Sequence, residues 1–166
     1  GLSNINLELA NKNIEVIMGL SGSGKSTLIR HINRLIEPTA GSIEIDGEDV
    51  IKMPLENLRL FRQQKTAMVF QSFALLPHKT IMDNVCLGVH LQGIKADEAT
   101  KRAKKWIDRV GLTGYEDRYP SQLSGGMQQR VGLARALTCD TEILMMDEAF
   151  SALDPLIRSD MQDLLL

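Results

Sequence analysis

The first forty residues change from alternating to helical hydrophobic spacing. Residues 5–9 alternate apolar and polar, which predicts a short strand with one wet face, and residues 14–18 are apolar except for Glu15, which predicts a buried strand. Apolar residues at three- and four-residue spacing from Leu28 onward predict a helix that continues until Pro38. The order is therefore strand, glycine-rich loop and helix.

The rest of the chain continues to mix strands with helices, except in its middle. No segment between Ser72 and Cys139 has the pattern of a strand, so we assign residues 74–139 to an inserted α-helical subdomain and residues 1–73 and 140–166 to the core. The fold class is then α/β, with a mostly parallel sheet and a small antiparallel part. The further predicted elements are a strand at 42–46 ending in the Asp46-Gly47 turn, a helix at 54–61, a strand at 66–70, helices at 80–92 and 95–110, a helix opening at Gly125-Gly126, a buried strand at 143–146 and a helix from Pro155.

Composition excludes several classes of protein. The 166 residues are 43% hydrophobic and carry a formal charge of −2, so they suit one domain with a subdomain and give no general attraction for nucleic acid. The basic run 101–105 shares its helix with Asp97, Glu98 and Asp108, which favours a solvated helix face. No stretch approaches the apolar length that a membrane span needs, and no signal peptide is visible. Cys86 and Cys139 lack metal-ligand spacing, which is typical of reduced thiols.

A phosphate-binding pattern lies between the second predicted strand and the first predicted helix. Gly19, four residues, and then Gly24-Lys25-Ser26 match G-x-x-x-x-G-K-[ST]. Glycines let backbone N–H groups surround phosphate oxygens, the helix N-terminus favours an anion, Lys25 adds positive charge and Ser26 offers a hydroxyl to Mg²⁺. The alternative is a glycine-rich turn without a ligand. The pattern predicts that ATP contacts Gly19, Ser21, Gly22, Ser23, Gly24, Lys25, Ser26 and Thr27.

Two carboxylates follow the strand predicted at 143–146. Asp147 is placed to hold Mg²⁺, and Glu148, which diverges from it, is placed to polarise the water that attacks the γ-phosphate as a general base. A solvated strand end is the plain alternative. Beside a phosphate-binding loop, the pair instead indicates a catalytic base next to a magnesium ligand.

A second glycine loop, LSGGMQQR, opens the helix that follows the insertion. One nucleotide cannot use both loops, so Ser124, Gly125, Gly126 and Gln128 are predicted to bind the nucleotide of another copy, in a two-fold dimer with two shared sites. The alternative is structural, with Ser124 capping the helix and the glycines allowing close packing.

The order of these motifs resembles that of the ATP-binding cassette (ABC) ATPases along essentially the whole chain. GLSGSGKST is followed by Gln71 in VFQSF, then LSGGMQQR, LMMDE and SALD at 151–154. The resemblance implies a P-loop NTPase (RecA-like) core, ATP and Mg²⁺ as cofactors, and hydrolysis carried by Glu148, Lys25 and Gln71. It also implies that Gln71 senses Mg²⁺ beside Ser26 and Asp147 and relays to the helical subdomain, and that Ser151 and Asp154 line the dimer seam.

A narrower resemblance is to the ATPase subunits of quaternary-amine importers, the glycine betaine, proline betaine and choline type. It is carried by NRLIEPTAG, MVFQSFALLPHKTIMDNV and MDEAFSALDPLIR. It implies a paired ATPase subunit on the cytoplasmic face of the membrane, an integral permease, an extracytoplasmic substrate-binding protein and no nucleic-acid partner. The apolar residues around Ser72 to Val85 are compatible with plain core or with a groove for a permease helix. A soluble ABC-type ATPase of DNA repair or chromosome maintenance, or a regulatory module without turnover, stays open.

Two departures from the family pattern stand out. Residues 1–18 hold no aromatic ring to stack on adenine, and the three histidines, His31, His78 and His90, all precede the second glycine loop, so none matches the family's switch histidine. We therefore expect that the chain lacks both ends or that it hydrolyses poorly. The three histidines are predicted to be ordinary surface or packing residues.

Overall fold

The computed structural model describes residues 2–151 and 153–165. Ala152, within the predicted seam motif, and positions 1 and 166, which bound the predicted core, lie outside the described residues. The α-helices and strands that the structure describes are α1 (Lys25–Ile32), β1 (Glu44–Ile45), β2 (Glu48–Asp49), α2 (Leu55–Gln64), β3 (Thr66–Val69), α3 (Ile81–Leu91), α4 (Ala96–Arg109), α5 (Gly125–Thr138), β4 (Ile143–Met146) and α6 (Pro155–Asp163), with single 3-10 turns at Val50–Lys52 and Pro120–Gln122.

The prediction of two strands ahead of the glycine loop is wrong. Residues 5–9 and 14–18 belong to neither of the two sheets in the described part of the chain. Val16 is 72% exposed and Met18 is 86% exposed. An apolar run is covered only where a neighbouring strand pairs with it and another layer packs on it, and neither ladder provides that partner here.

Helix α1 is shorter than its hydrophobic spacing predicts. It ends at Ile32 rather than near Pro38, because Arg34 takes a left-handed φ of 54°. The backbone N–H groups of Leu35 and Ile36 then both donate to Arg30 O, at 2.9 and 3.1 Å. These bonds satisfy the helix end locally and turn the chain away from the helix axis.

The antiparallel part is a minimal hairpin. β1 and β2 pair through Glu44 with Asp49 and Ile45 with Glu48, and Asp46-Gly47 forms the predicted two-residue turn. Both turn residues have positive φ, 52° and 81°, which is the conformation that a two-residue turn between twisted strands requires.

The parallel part pairs β3 with β4, two strands far apart in sequence. Thr66 lies opposite Ile143 and Val69 lies opposite Met146. Since the strands are parallel, their carboxyl ends meet at the same edge, so the residues that follow Val69 and Met146 become neighbours.

Three helices of the predicted insertion pack around a common apolar core. Helices α3 and α4 bury residues spaced three or four apart and so present one apolar face, whereas α5 buries the consecutive residues 131–134 and is covered on several sides. On α4 two of the buried positions are alanines, which allow close helix approach, while the basic run faces solvent and Arg102 Nε donates to Glu98 at 2.9 Å. The fully buried residues of this core include Ile81, Val85 and Val89 of α3, Ala99, Ala103 and Ile107 of α4, and Val131 and Ala134 of α5.

The chain consists of two compact units, Gly1–Leu58 and Arg59–Leu166. The first holds the phosphate-binding loop and the hairpin, and the second holds β3, β4 and the three packed helices. The division at 73/74 and 139/140 stays a prediction. Among the described residues, no helix is long and apolar enough to span a bilayer.

Candidate functional site

The phosphate-binding loop runs from Gly19 into the first turn of α1. Gly24 has a φ of 99° and is the N-cap of the helix, and a Cβ there would lie 2.7 Å from Leu2 Cδ2. Only glycine fits this conformation and this approach without strain. The helix begins at Lys25, where Leu28 N–H donates to Gly24 O at 2.9 Å.

Lys25 lies against its own loop. Its Nζ donates to Gly19 O and to Leu20 O, both at 2.9 Å, and Ser23 N–H closes a turn onto Leu20 O at 3.2 Å. These bonds hold a full positive charge at the loop. No side chain caps the helix N-terminus, so the first-turn N–H groups and the ammonium provide the donors that a phosphate needs.

The four hydroxyl residues of the predicted ATP site lie in the same loop and in the helix that follows it. Ser21 and Ser23 are exposed in the loop, and Ser26 and Thr27 are half-buried in the first turn of α1. All eight predicted ATP-contacting residues thus lie in one continuous loop and helix start. Their contact with a nucleotide stays a prediction.

A second group of predicted residues lies at the carboxyl edge of the β3–β4 pair. Asp147 N–H donates to Val69 O at 2.9 Å and so extends the ladder beyond Met146. The Asp147 residue is 1% exposed, whereas Glu148 is exposed. The two carboxylates therefore occupy different environments, as their adjacent positions predict.

Gln71 and Glu148 are in direct contact. Gln71 Nε2 donates to Glu148 Oε2 at 2.7 Å, although 77 positions separate them in sequence. Glu148 has a left-handed φ of 50°, and its carbonyl accepts from Gln129 Nε2 at 3.4 Å and from Ser151 N–H at 3.1 Å. Non-glycine residues adopt this conformation at a cost, so the surrounding bonds hold Glu148 in place.

The second glycine loop is on the surface and opens α5. Ser124 Oγ accepts from Met127 N–H at 3.3 Å, which makes Ser124 the N-cap of the helix, and Gln128 Nε2 donates to Leu123 O at 3.1 Å. The capping role of Ser124 is thus confirmed, but the close packing expected of the glycines is not seen at Gly125, where an added Cβ would meet nothing within 4 Å. Ser124 and Gly125 are exposed and Gly126 is half-buried, and the binding of another copy's nucleotide stays a prediction.

The predicted seam residues have local structural roles. Asp154 Oδ1 caps α6 by accepting from the N–H groups of Leu156 and Ile157, both at 3.1 Å. Ser151 is exposed beside Glu148. Their place in a dimer seam stays a prediction.

The three histidines lie where the sequence predicts, as surface or packing residues. His31 Nδ1 is 2.7 Å from Ile36 O at the end of α1, and His78 and His90 are exposed. Both cysteines are buried or half-buried thiols, and burial raises the pKa of each.

Comparison with known proteins assigns the chain to a family. The model of the ABC transporter family matches residues 2–151, which is most of the sequence. The chain belongs to the ABC transporter family.

The relatives of this ABC chain include transport proteins of the predicted type. The glycine betaine transport ATP-binding protein OpuAA of Bacillus subtilis is 60% identical over the whole chain, which covers 40% of that protein. The glycine betaine/proline betaine ATP-binding protein ProV of Escherichia coli is 56% identical over 98% of the chain, which covers 41% of that protein. The chain thus spans about two fifths of the length of these relatives.

Solved structures confirm the P-loop α/β fold of the ABC family. The dimeric ABC transporter cassette MJ0796 superposes with a TM-score of 0.94 at 36% identity, covering 99% of this chain and 72% of that chain. A second structure of MJ0796, dimeric and bound to ADP and phosphate, superposes with a TM-score of 0.93 at 36% identity.

The donor chemistry in this ABC chain suits magnesium. The described residues hold no group of three or more histidine, cysteine or acidic side chains that could cage a metal. Magnesium in nucleotide sites commonly uses one or two carboxylates together with substrate phosphates and waters. Ser26, Gln71 and the buried Asp147 each carry an oxygen donor of the kind that this chemistry uses, and their binding of one ion stays a prediction.

Three residues that support the site were not predicted from the sequence. Gln129 bonds the backbone of Glu148, Arg135 bonds the loop after Gln71, and Asn84 bonds the end of that loop. Each is a polar residue inside an otherwise amphipathic helix. The signal that could have found them is a polar residue at a position where the helical period demands an apolar one.

Proposed function

We propose that this chain is the ATP-binding and ATP-hydrolysing part of an ABC importer for glycine betaine, proline betaine or a related quaternary amine. The observation that carries the hydrolytic role is the 2.7 Å contact between Gln71 Nε2 and Glu148 Oε2. It joins the second residue after β3 to the second residue after β4, in the arrangement that the ABC motif order predicts. The named betaine relatives support the substrate class over a role in DNA repair.

Glu148 is the proposed general base. Its exposed carboxylate accepts from Gln71, and its backbone is held by two further bonds, so the oxygen that would take a proton from water is oriented before substrate arrives. Gln71 reports the state of the nucleotide to the residues that follow it in sequence.

The glycine loop is the proposed triphosphate cradle. Lys25 keeps its ammonium within the loop through Gly19 O and Leu20 O, and the uncapped N-terminus of α1 adds N–H donors. Magnesium, held by Ser26, Asp147 and Gln71, would neutralise charge on the β- and γ-phosphates.

We further propose that the exposed loop 124–128 contacts the nucleotide of a second ATPase subunit, with Ser151 and Asp154 at the seam. The exposure of Ser124 and Gly125 supports this, since both are open to a partner, and the related cassette MJ0796 is dimeric. Closing and opening of the pair is the step that would drive transport.

The membrane partners follow from the same proposal. A permease would receive the motion through the segment after Gln71, where Leu75 and Leu76 are half-buried and Pro77 is exposed, and an extracytoplasmic binding protein would deliver the solute. The chain would then work at the cytoplasmic face of the membrane, without a nucleic-acid partner.

Two charge-removing variants of the full-length protein test the nucleotide site. We expect Lys25→Ala to abolish ATP binding in calorimetry, whereas Lys52→Ala, an exposed lysine paired with Asp49, binds ATP normally. We expect Glu148→Gln to lower kcat by about 10²- to 10⁴-fold, retain ATP binding and accumulate an ATP-bound dimer in size-exclusion chromatography.

The matched control for the base is Glu142→Gln, at the opposite end of β4. Glu142 pairs with Lys65 at 2.7 Å and lies away from the carboxyl edge, so its removal should leave turnover intact. Turnover retained in Glu148→Gln, or unchanged ATP affinity in Lys25→Ala, would contradict the assignment. Uptake of labelled glycine betaine by cells that lack other betaine importers tests the substrate class.

A shared nucleotide site is tested with mixed dimers. Replacing Ser124 in one copy should damage the site whose Lys25 belongs to the other copy. Mixed-dimer kinetics in which the damage instead follows the copy that carries the substitution would exclude binding in trans.

A further inference from the structure

The loop that follows Gln71 has a strained backbone. Phe73 and Ala74 both lie in the left-handed region, with φ of 63° and 49°. Ala74 N–H donates to Ser72 O at 2.7 Å, which with the positive φ of Phe73 forms the rarer, strained kind of γ-turn. Residues other than glycine keep such conformations only when neighbouring groups hold them.

Arg135 of α5 holds this turn. Its Nη2 donates to Phe73 O at 2.8 Å and its Nη1 donates to Ala74 O at 2.7 Å. A guanidinium is planar and presents two parallel donors, so it fixes the relative orientation of the two carbonyls. A lysine ammonium is a single nitrogen without the planar fork, so it could donate to the carbonyls but could not fix their relative orientation in the same way.

The same helix also contacts the other member of the Gln71–Glu148 pair. Gln129, six positions before Arg135, is buried and donates to Glu148 O at 3.4 Å. Gly132 lies between them, and a Cβ there would be 3.6 Å from Phe73 O, which shows that α5 runs directly against the turn. Helix α5 therefore supports both residues of the pair from one side.

We propose that Arg135 is a positioning residue for Gln71, holding the strained turn at residues 72–74 so that the Gln71 amide reaches Glu148. The proposal rests on the proposed function, because it assumes that this pair serves hydrolysis. It adds a link between the helix opened by the second glycine loop and the pair at the sheet edge. Arg135 touches no reacting atom and acts only through Gln71.

The test compares two arginines in the full-length protein. Arg34 is the matched control, since its Nη1 also donates to two backbone carbonyls, Val50 O at 3.3 Å and Met53 O at 2.8 Å. We expect Arg135→Lys to lower kcat at saturating Mg-ATP by about tenfold or more, with the dissociation constant for ATP changed less than about threefold. Arg34→Lys should leave kcat within about twofold.

A double-mutant cycle separates positioning from general support. If Arg135 acts through Gln71, then Arg135→Lys should lower kcat much less in a Gln71→Ala background than in the wild type. Equal losses in the two backgrounds would overturn the proposal. An equal loss of kcat in the Arg135→Lys and Arg34→Lys variants would overturn it as well.

Amide hydrogen exchange provides a readout that needs no turnover. The Phe73 and Ala74 amides should exchange faster in Arg135→Lys by about tenfold or more and be unchanged in Arg34→Lys. Unchanged exchange would overturn the proposal even if kcat fell. A wild-type protein that hydrolyses no ATP would defeat the proposed function instead, while exchange would still decide whether Arg135 holds the turn.

Discussion

Asn84 offers the clearest test of how the fold holds the segment between Gln71 and α3. Its side chain is 0% exposed. Asn84 Oδ1 accepts from Leu76 N–H at 2.8 Å, and Asn84 Nδ2 lies 3.1 Å from Leu76 O, 3.1 Å from Lys79 O and 2.9 Å from Thr80 O. One buried amide therefore joins the start of α3 to the loop before it.

The loss of stability expected for Asn84→Ala depends on which backbone groups lose their hydrogen-bond partner. Leu76 O retains its bond from Lys79 N–H, and Thr80 O retains its bond from the Asn84 backbone, so Leu76 N–H and Lys79 O are the groups that lose a partner. A buried polar group left unpaired costs about 1–3 kcal/mol, and the half-buried Leu76 and exposed Lys79 belong at the lower end. With the space left by the amide, we expect a loss of about 3 kcal/mol in the free energy of unfolding.

Urea unfolding followed by Trp106 fluorescence measures this loss. Trp106 is the single tryptophan of the sequence and packs against the core formed by α3, α4 and α5. With a urea dependence of about 1–3 kcal/mol per M, the midpoint should fall by about 1–3 M. His90→Ala, an exposed position on the same helix, should shift the midpoint by less than about 0.3 M. Equal midpoints for the two variants would refute the reasoning.

Two further predictions concern the α3–α5 contact and its thiols. Gly88→Ala should destabilise the protein by about 1–3 kcal/mol in the same assay, because the new methyl group would clash with Cys139 Sγ. Adding Cys139→Ala should restore most of the lost stability. Additive losses in the double variant would contradict the contact. Burial raises the pKa of the Cys86 and Cys139 thiols, so the reactive thiolate appears only at higher pH than in a free cysteine. Iodoacetamide labelling followed by mass spectrometry should therefore have a midpoint above about pH 8.5, and fast labelling at pH 7 would contradict the burial argument.

The helices and the motif order could be predicted from the sequence because their causes are local. Thr80 and Ser124 cap α3 and α5 as their residue types allow, Pro155 begins α6, and the Asp46-Gly47 turn has the positive φ values its residues favour. The glycine loop and the carboxylates after β4 could also be identified, since their residue types are dictated by phosphate and metal chemistry. That is why the family was identifiable from its motifs before any contact was known.

The strand predictions failed where strand formation depends on a pairing partner elsewhere in the chain. Residues 14–18 have the composition of a buried strand, yet in the described chain they join no ladder and Met18 is 86% exposed. Strand formation depends on a hydrogen-bonded neighbour, which a local pattern does not specify.

The order of amino acids specifies which chemical groups this protein carries and where they stand along the chain, because caps, turns and phosphate loops depend on a few neighbouring residues. The folded arrangement is what brings Gln71 to Glu148, places Arg135 against the turn after Gln71, and lets Asn84 close the same segment. These contacts join residues from separate elements, and their distances follow from the parallel pairing of β3 with β4 and the packing of α3 against α5. The hydrophobic period fixes which face of a helix is buried but not which backbone group a polar side chain on that face will meet.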